Sequence, residues 1–423
     1  MKILSVLPLI SIYSICTAAY VDKLNIIGNE HTKMNIIKRE LHHPIPGEYD
    51  STLALEDRNR IYNLGLFSKV EIKPIDSFYT ISLVETFRFV PAPIVEHSET
   101  KGWRYGGAIA FLNFRGVNQK LVSWVSTIIG EEINYGLSFS DPWITGDHVS
   151  LSGWVYQNSG NNPFYSYNYK SRGCGIGTGF YNKKYHKFNF AMNIDYSSID
   201  TNGINVKILE KYDNIPLHYK YISGELTYQY DTRDIYIDPT RGTLMTLSLK
   251  PNLSFGQSEN IYSFWFQNVK YFKISDGYLN SVLSFDTRFL FKKSKSFPIG
   301  NYLHLGGKDF VRGYSPIPAR NSSEVTNLIE GYNIVYHSIQ LQHTLFEKEE
   351  YNLMKFGIEL GIDMVYFVDM GIISDELIFF KLKNTIVGYG FGFRFFASGA
   401  GVIEIDFGFN PYGQQFYHLS DSY

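Results

Sequence analysis

Only two cysteines, Cys16 and Cys174, occur in 423 residues. The first lies in a segment that reads as a removable leader, so no disulfide framework is expected. Long apolar runs are missing too. Beyond residue 19 no stretch of about 18 apolar residues occurs, which excludes a helical membrane span. Neither sign of charge is in excess: the net charge is -2 and the isoelectric point about 6.6, so there is no positive field to recruit nucleic acid. Catalytic signatures are also absent. There is no His-Glu-x-x-His, Gly-x-Ser-x-Gly or Cys-x-x-Cys motif. The 11 histidines are scattered, with His42 and His43 before Pro44 in a turn, and pairs such as Glu131-Glu132 and Glu349-Glu350 read as loop charges. No enzyme, metal site or cofactor is expected.

Aromatic residues are plentiful. Tyrosine and phenylalanine number 33 and 32 against 5 tryptophans, while mean hydropathy stays at -0.15. That combination suits alternating strands better than apolar helices.

Residues 1–19, MKILSVLPLISIYSICTAA, combine an early lysine, an apolar run and small residues before Tyr20. This is the layout of a signal peptide. Ile15 before Cys16 is not small, which argues against lipidation of that cysteine. Export without a helical span leaves a soluble secreted protein or a β-barrel in an outer membrane.

In residues 20–87 a short strand ends at Gly28-Asn29, two amphipathic helices follow, the second stopped by Gly65, and two alternating segments close the unit. The predicted order is β-α-α-β-β. Residues 88–100, with Pro91 and Pro93, read as a stiff linker. From residue 101 to 423, segments of about ten residues with period-two alternation are broken by turn residues, the pattern of a transmembrane antiparallel β-barrel. About 320 residues at about 20 per strand give about 16 strands. A soluble sandwich shares the alternation, and length favours the barrel.

Two glycine runs, RGCGIGTGF from Arg172 and GYGFGFRFF from Gly388, lack the turn-to-helix context of a phosphate loop. Their alternation places Gly173, Gly175, Gly177 and Gly179, and likewise Gly388, Gly390 and Gly392, on one face of a strand, as a smooth inner wall or a bend.

The stretch GGKDFVRGY, residues 306–314, precedes a long irregular segment, and a charge in it must face the lumen or lie in a loop. Its residues Gly306, Gly307, Val311, Arg312, Gly313 and Tyr314 resemble the sixth-loop signature of the BamA/TamA-type outer-membrane assembly and translocation superfamily. The resemblance implies that the loop tip folds into the pore and that Arg312 pairs with Asp369 of Phe367-Val368-Asp369. Where the family often places a facing glutamate, Gln340 and Gln342 stand, so the resemblance supplies no second ionic contact. Further matches run in the family's order: Asp141-Pro142-Trp143; the hairpin of Asp231, Arg233, Asp234, Pro239 and Gly242; GYGFGFRFF with GVIEIDFGFN; and the aromatic end FYHLSDSY. The first 20–87 residues resemble a single POTRA domain through Gly28, Asn29, Gly65, Phe67 and Val84-Glu85. Several such domains are usual in bacterial assembly factors, and the family usually ends in Phe or Trp where Tyr423 stands.

The resemblance implies an insertase or polypeptide translocase in a bacterial outer membrane, its POTRA domain in the periplasm. Unfolded outer-membrane or secreted polypeptides are its expected partners, with the lipid bilayer and periplasmic accessory proteins or chaperones. Capture is expected at a POTRA edge strand around Tyr79 to Val84, and assembly at a lateral seam between Tyr105–Phe114 and Gln415–Tyr423, where the polar run His418 to Ser422 should pair weakly. The alternative is a passive pore or a dedicated two-partner secretion transporter.

Overall fold

The computed structural model describes residues 19–98, 102–128, 133–145, 148–162, 164, 167–200, 217–275, 280–353, 356–376, 381–397 and 401–422. Residues 1–18 of the expected leader and Tyr423 of the expected seam lie outside these.

The N-terminal unit contains the predicted β-α-α-β-β order, with an added antiparallel pair of two-residue strands, Tyr20–Val21 and Gly47–Glu48, the second lying between the helices. Strand β1 (Lys23–Ile27) leads to α1 (Met34–Lys38) and α2 (Ser51–Asn63), then to β2 (Phe67–Ile75) and β3 (Phe78–Glu85). Asp50 caps α2 by accepting from the backbone N–H of Thr52 at 2.7 Å and of Leu53 at 3.3 Å. Gly65, at φ +69°, ends the helix. The helices bury Ile36, Ile37, Ala54 and Ile61 on a sheet face carrying Phe67, Val70, Tyr79 and Ile81. Gly28 has φ +92°, and a Cβ there would overlap the carbonyl of Leu83, so the turn requires glycine. Asn29 braces the same turn with a 3.1 Å bond to the Thr32 carbonyl. Asp57 is fully buried on α2 and accepts from His42 N–H, His43 N–H and the Tyr79 hydroxyl at 2.7, 3.2 and 3.1 Å. Burial first, then the charge of Asp57, raises the Tyr79 phenol well above its ordinary pKa.

The sheet order is β1-β3-β2, with β1 parallel to β3. The segment expected to capture clients, Tyr79 to Val84, is therefore the central strand, paired on both sides. Its apolar alternation reflects burial under two helices.

From Phe89 onward the long strands form a 16-stranded antiparallel sheet in sequence order, while Leu303–His304 and Glu330–Gly331 pair separately in the connection between its eleventh and twelfth strands. Its strands are β4 (Phe89–Ser98), β5 (Gly102–Phe114), β6 (Gln119–Ile128), β7 (Asn134–Thr145), β8 (Val149–Asn162), β9 (Tyr167–Asn182), β10 (His186–Asp200), β11 (His218–Asp231), β12 (Gly242–Ser254), β13 (Ile261–Ser275), β14 (Ser281–Lys293), β15 (Asn333–Leu353), β16 (Phe356–Ser374), β17 (Ile386–Ala397), β18 (Gly401–Phe409) and β19 (Gln415–Ser422). Apolar residues such as Ile176, Phe190, Leu226, Leu249 and Tyr366 are exposed on the outer face, as lipid contact requires. The inner face of β9 carries the four alternate glycines, and side chains of neighbouring strands, Trp154, Tyr156, Asn189 and Asn193, lie over them.

The segment read as a linker is β4, the first strand of this sheet, so the sheet begins at Phe89 rather than at residue 101. Prolines read as linker signals are tolerated because β4 is terminal in the ladder and Pro91 and Pro93 turn their ring nitrogens away from β5. Tyr105 and Phe114 consequently lie on β5, which pairs with β4 and β6, and do not border the end of the sheet.

The N-terminal unit rests on the end of the sheet that carries the turns after β5, β9 and β11. The Lys33 N–H donates to the Gly116 carbonyl at 2.9 Å, Lys184 pairs with Glu56 at 2.5 Å, and the Tyr62 hydroxyl donates to Glu359 at 2.5 Å.

Candidate functional site

The long connection between β14 and β15 enters from the opposite end and folds into the lumen. Leu305, Val311, Tyr314, Val325 and Ile329 are fully buried and pack on Ile334 and Tyr336 of β15, Ile373 of β16 and Ile386 of β17. Asn321 staples the loop to itself, accepting from Ser315 N–H at 2.9 Å and donating to the Ser315 carbonyl at 2.9 Å. Gly306 and Gly307 make the tip possible. A Cβ at Gly306 would overlap the carbonyl of Ser315, and Gly307 has φ +102°.

Arg312 sits at the tip, 3% exposed. Its Nε and Nη2 donate to the two oxygens of Asp369 at 2.7 and 2.8 Å, and its own backbone N–H adds a bond to Asp369 at 3.1 Å. This forked geometry suits a planar guanidinium and no other cation. The guanidinium lies 3.5 Å from the ring centroid of Phe367, a cation–π contact. Asp369 also accepts from the hydroxyls of Ser338 at 2.6 Å and Tyr336 at 3.3 Å. The proposed partner of Arg312 is thus in place, with Phe367 beneath it.

A second carboxylate was not foreseen. Nη1 of Arg312 donates to Asp406 of β18 at 3.0 Å, so the second ionic contact comes from the far side of the tip and not from β15. Gln340 and Gln342 instead accept from Arg394 at 2.7 and 2.8 Å, and Arg394 pairs with Glu404 at 3.3 Å. The available signal for Asp406 was its inward phase in GVIEIDFGFN.

The remaining loop residues close the clasp. Gly313, at φ +96°, donates its N–H to Nε2 of His418 at 3.2 Å, and its carbonyl accepts from Asn410 at 2.7 Å. The Tyr314 hydroxyl donates to the carbonyl of Val387 at 3.2 Å. Asp309 contributes its carbonyl, which accepts from Arg288 at 2.6 Å. Gly388 and Gly408 lie where a Cβ would overlap the backbone at Arg312 or Gly313, so these glycines are a cradle for the tip as well as a wall. On its inner side the polar run is held: β19 pairs with β18 from Gln415 to Ser422, and His418 is 1% exposed against the loop.

The hairpin motif is a self-contained turn. Arg233 forks onto Asp231 at 2.9 and 2.7 Å, while Asp234 accepts from the N–H groups of Ile235, Thr240 and Arg241. Gly242, at φ +106°, closes it next to Thr232; Pro239 lies within the turn. The turn docks on α2, with Asn63 donating to the Asp234 carbonyl at 3.2 Å. Gly28, Asn29, Gly65 and Phe67 are far from the clasp in the chain and build the N-terminal unit.

Between that unit and the sheet lies a cavity of about 890 Å³, lined by six lysines and arginines, among them Lys120 and Lys187, against the carboxylates of Glu40 and Asp141. Arg39 and Arg60 both approach Glu40, at 3.7 and 3.2 Å. The mouth of the lumen is therefore cationic.

A model of the Omp85 superfamily domain matches residues 113–418. The outer membrane protein assembly factor BamA of Neisseria meningitidis serogroup B is 22% identical over 333 residues, covering 70% of this chain and 40% of that protein. The chain thus spans well under half the length of that relative. Among solved structures, BamA from Haemophilus ducreyi lacking POTRA domains 1–3 aligns with a TM-score of 0.56 at 16% identity, over 95% of this chain and 83% of that one. CdiB from Escherichia coli aligns at 0.53 and 13%, over 95% and 74%. These structural likenesses concern the fold.

Proposed function

Because the chain belongs to the Omp85 superfamily, we propose that it is an insertase or translocase which receives unfolded polypeptides at its N-terminal unit and assembles them at the lateral seam of its barrel. It is a bacterial outer-membrane β-barrel protein of the BamA/TamA type, in a family of assembly and transport proteins rather than enzymes.

One observation carries the reading. Among the described residues the 16-stranded ladder runs from β4 to β19 without a pairing between these two, while the lumen beside β16 to β19 is filled by the clasped loop. A chain excluded from that part of the lumen but offered an open sheet edge adds as a strand, held by main-chain hydrogen bonds that do not depend on its sequence. The seam is thus β4 against β19, which keeps Gln415 at the border and replaces Tyr105 and Phe114 by Phe89 to Ser98. The buried clasp fixes the position of β19 through Gly313 and His418 rather than adding net stability. The free energy for assembly comes from folding of the client. Periplasmic accessory proteins or chaperones belong to this reading as suppliers of unfolded chains.

The test is assisted insertion: the purified protein in liposomes, challenged with an unfolded outer-membrane barrel, with client folding followed by heat-modifiable gel mobility. Acceleration over empty liposomes that is lost on removing residues 20–87 is the expected result. Steady ion conductance without acceleration would instead support a passive pore or dedicated secretion, for which the cationic mouth offers a route.

A further inference from the structure

On the outward face of β9, β10 and β11 the ladder sets cationic side chains in two adjacent rows. Arg172↔Tyr196↔Lys220 form one and Lys170↔Ser198↔His218 the next. Arg172, Lys220 and His218 are exposed. The guanidinium of Arg172 lies 5.1 Å and Nζ of Lys220 5.9 Å from the ring centroid of Tyr196, whose hydroxyl is 3.0 Å from Nδ1 of His218. Among the described residues no carboxylate pairs with Arg172 or Lys220. Strands about 4.8 Å apart put these two about 10 Å from each other across Tyr196. Cations at that spacing repel unless an anion lies between them.

The height of the grid says which anion is at hand. β9 ends at Asn182, and the turn beyond it places Lys184 on Glu56 of the N-terminal unit, so Arg172 lies toward the opposite, outer end of the barrel. One row nearer the N-terminal unit the outward residues turn apolar, Val155, Cys174, Ile194 and Ile222, with Ile176 and Met192 after them. All six are exposed. The grid is therefore the first charged row above the hydrocarbon belt, at headgroup level, where an outward charge costs little. Near the same end the outward residues of other strands are aromatic, Phe255, Tyr262, Tyr389 and Tyr417, with Lys293 beside Tyr262. Clustering of cations is a property of this wall. Gly153 and Gly224 flank Ile176 and Met192 in register, which leaves shallow tracks beside the apolar side chains. On the inner side Tyr167, Tyr169, Ile199, Ile299 and Tyr302 pack together, and the Tyr167 hydroxyl donates to the Ile299 carbonyl at 3.3 Å. The wall behind the grid is thus filled, and the cations stand at fixed spacing before a ligand arrives.

From this placement we propose that β9 to β11 carry a binding site for the phosphate group of an outer-leaflet lipid, Arg172 and Lys220 contacting the phosphate above Tyr196 while the acyl chains lie on Ile176, Met192 and Ile194. A guanidinium fork matches phosphate oxygens, and a basic cluster at a membrane surface selects anionic headgroups. The site needs only a barrel in its membrane and stands apart from the insertase reading.

The experiment titrates the full chain, purified in neutral detergent, with diphosphoryl lipid A, the same lipid dephosphorylated, and phosphatidylglycerol, and counts bound lipid by native mass spectrometry. The first phosphorylated lipid should bind about tenfold more tightly than the dephosphorylated one. Arg172→Gln with Lys220→Gln should abolish that preference. Lys270→Gln with Lys293→Gln removes the same charge from exposed positions of β13 and β14 and should leave it intact. Heat-modifiable migration checks that each variant is a folded barrel. Tighter binding of lipid A than of phosphatidylglycerol assigns the site to a glycolipid and parity assigns it to any anionic lipid phosphate, so the site stands in both cases. Equal affinity for phosphorylated and dephosphorylated lipid, or equal loss in the two double variants, would overturn it, the latter by showing a diffuse charge effect.

Discussion

Replacing Arg312 by alanine removes the cation between two carboxylates that are 0% and 4% exposed, Asp369 and Asp406. Taking one partner from a buried ion pair costs about 3–5 kcal/mol, because the remaining charge stays desolvated. The hydroxyls of Ser338 and Tyr336 still donate to Asp369, which places the expected cost at the lower end of that range. The strand ladder does not involve the guanidinium, so the penalty falls on loop docking and not on the barrel. At about 1.4 kcal/mol per tenfold, a cost of about 3 kcal/mol lowers the ratio of docked to undocked loop by about two orders of magnitude. Hydrogen exchange at residues 311–314 and protease nicking of the loop report this ratio, while heat-modifiable migration confirms a folded barrel. Arg312→Lys keeps the charge but loses the fork and should fall between wild type and alanine. Asp369→Ala leaves the Asp406 contact and should release the loop less. Combined with Arg312→Ala it should cost less than the sum, by about 1–3 kcal/mol, as for residues sharing one network. Additivity of the two, or protection at residues 311–314 unchanged in Arg312→Ala, refutes the clasp.

Gly388→Ala should also displace the tip, since its new Cβ overlaps the Arg312 carbonyl; protease sensitivity of the loop with normal barrel migration is the expected result. Asp57→Ala leaves the N–H groups of His42 and His43 and the Tyr79 hydroxyl without their shared acceptor, at about 1–3 kcal/mol for each group that stays buried. Faster hydrogen exchange confined to the N-terminal unit checks this. Lys120→Glu with Lys187→Glu inverts charge in the cationic mouth, and the reversal potential of any residual conductance in a salt gradient should shift toward cation preference.

Some of this was legible in the residues. Alternation is a property of a strand and its two environments, so Ile176 and Phe190 outward and Gly175 and Asn193 inward could be read without coordinates. The stop of α2 at Gly65 was similarly local. Arg312 and Asp369 were paired through the resemblance to a family motif and not through spacing, and the hairpin of Asp231 to Gly242 is a turn closed by its own side chains.

By itself the sequence determined the strand alternation and the small α+β unit before it, because each is encoded within one segment, while the loop arginine and its first partner came from the resemblance to a family motif. The tertiary structure alone decided that Pro91 and Pro93 sit in a strand, since proline is tolerated only where a ladder ends and no local signal says where that is. It decided that Tyr79 to Val84 lies in the middle of its sheet, and that Asp406 and His418 meet the loop tip. Those contacts join residues 94 and 105 positions apart in the chain. Barrel curvature brings them together, and curvature is a property of all the strands at once.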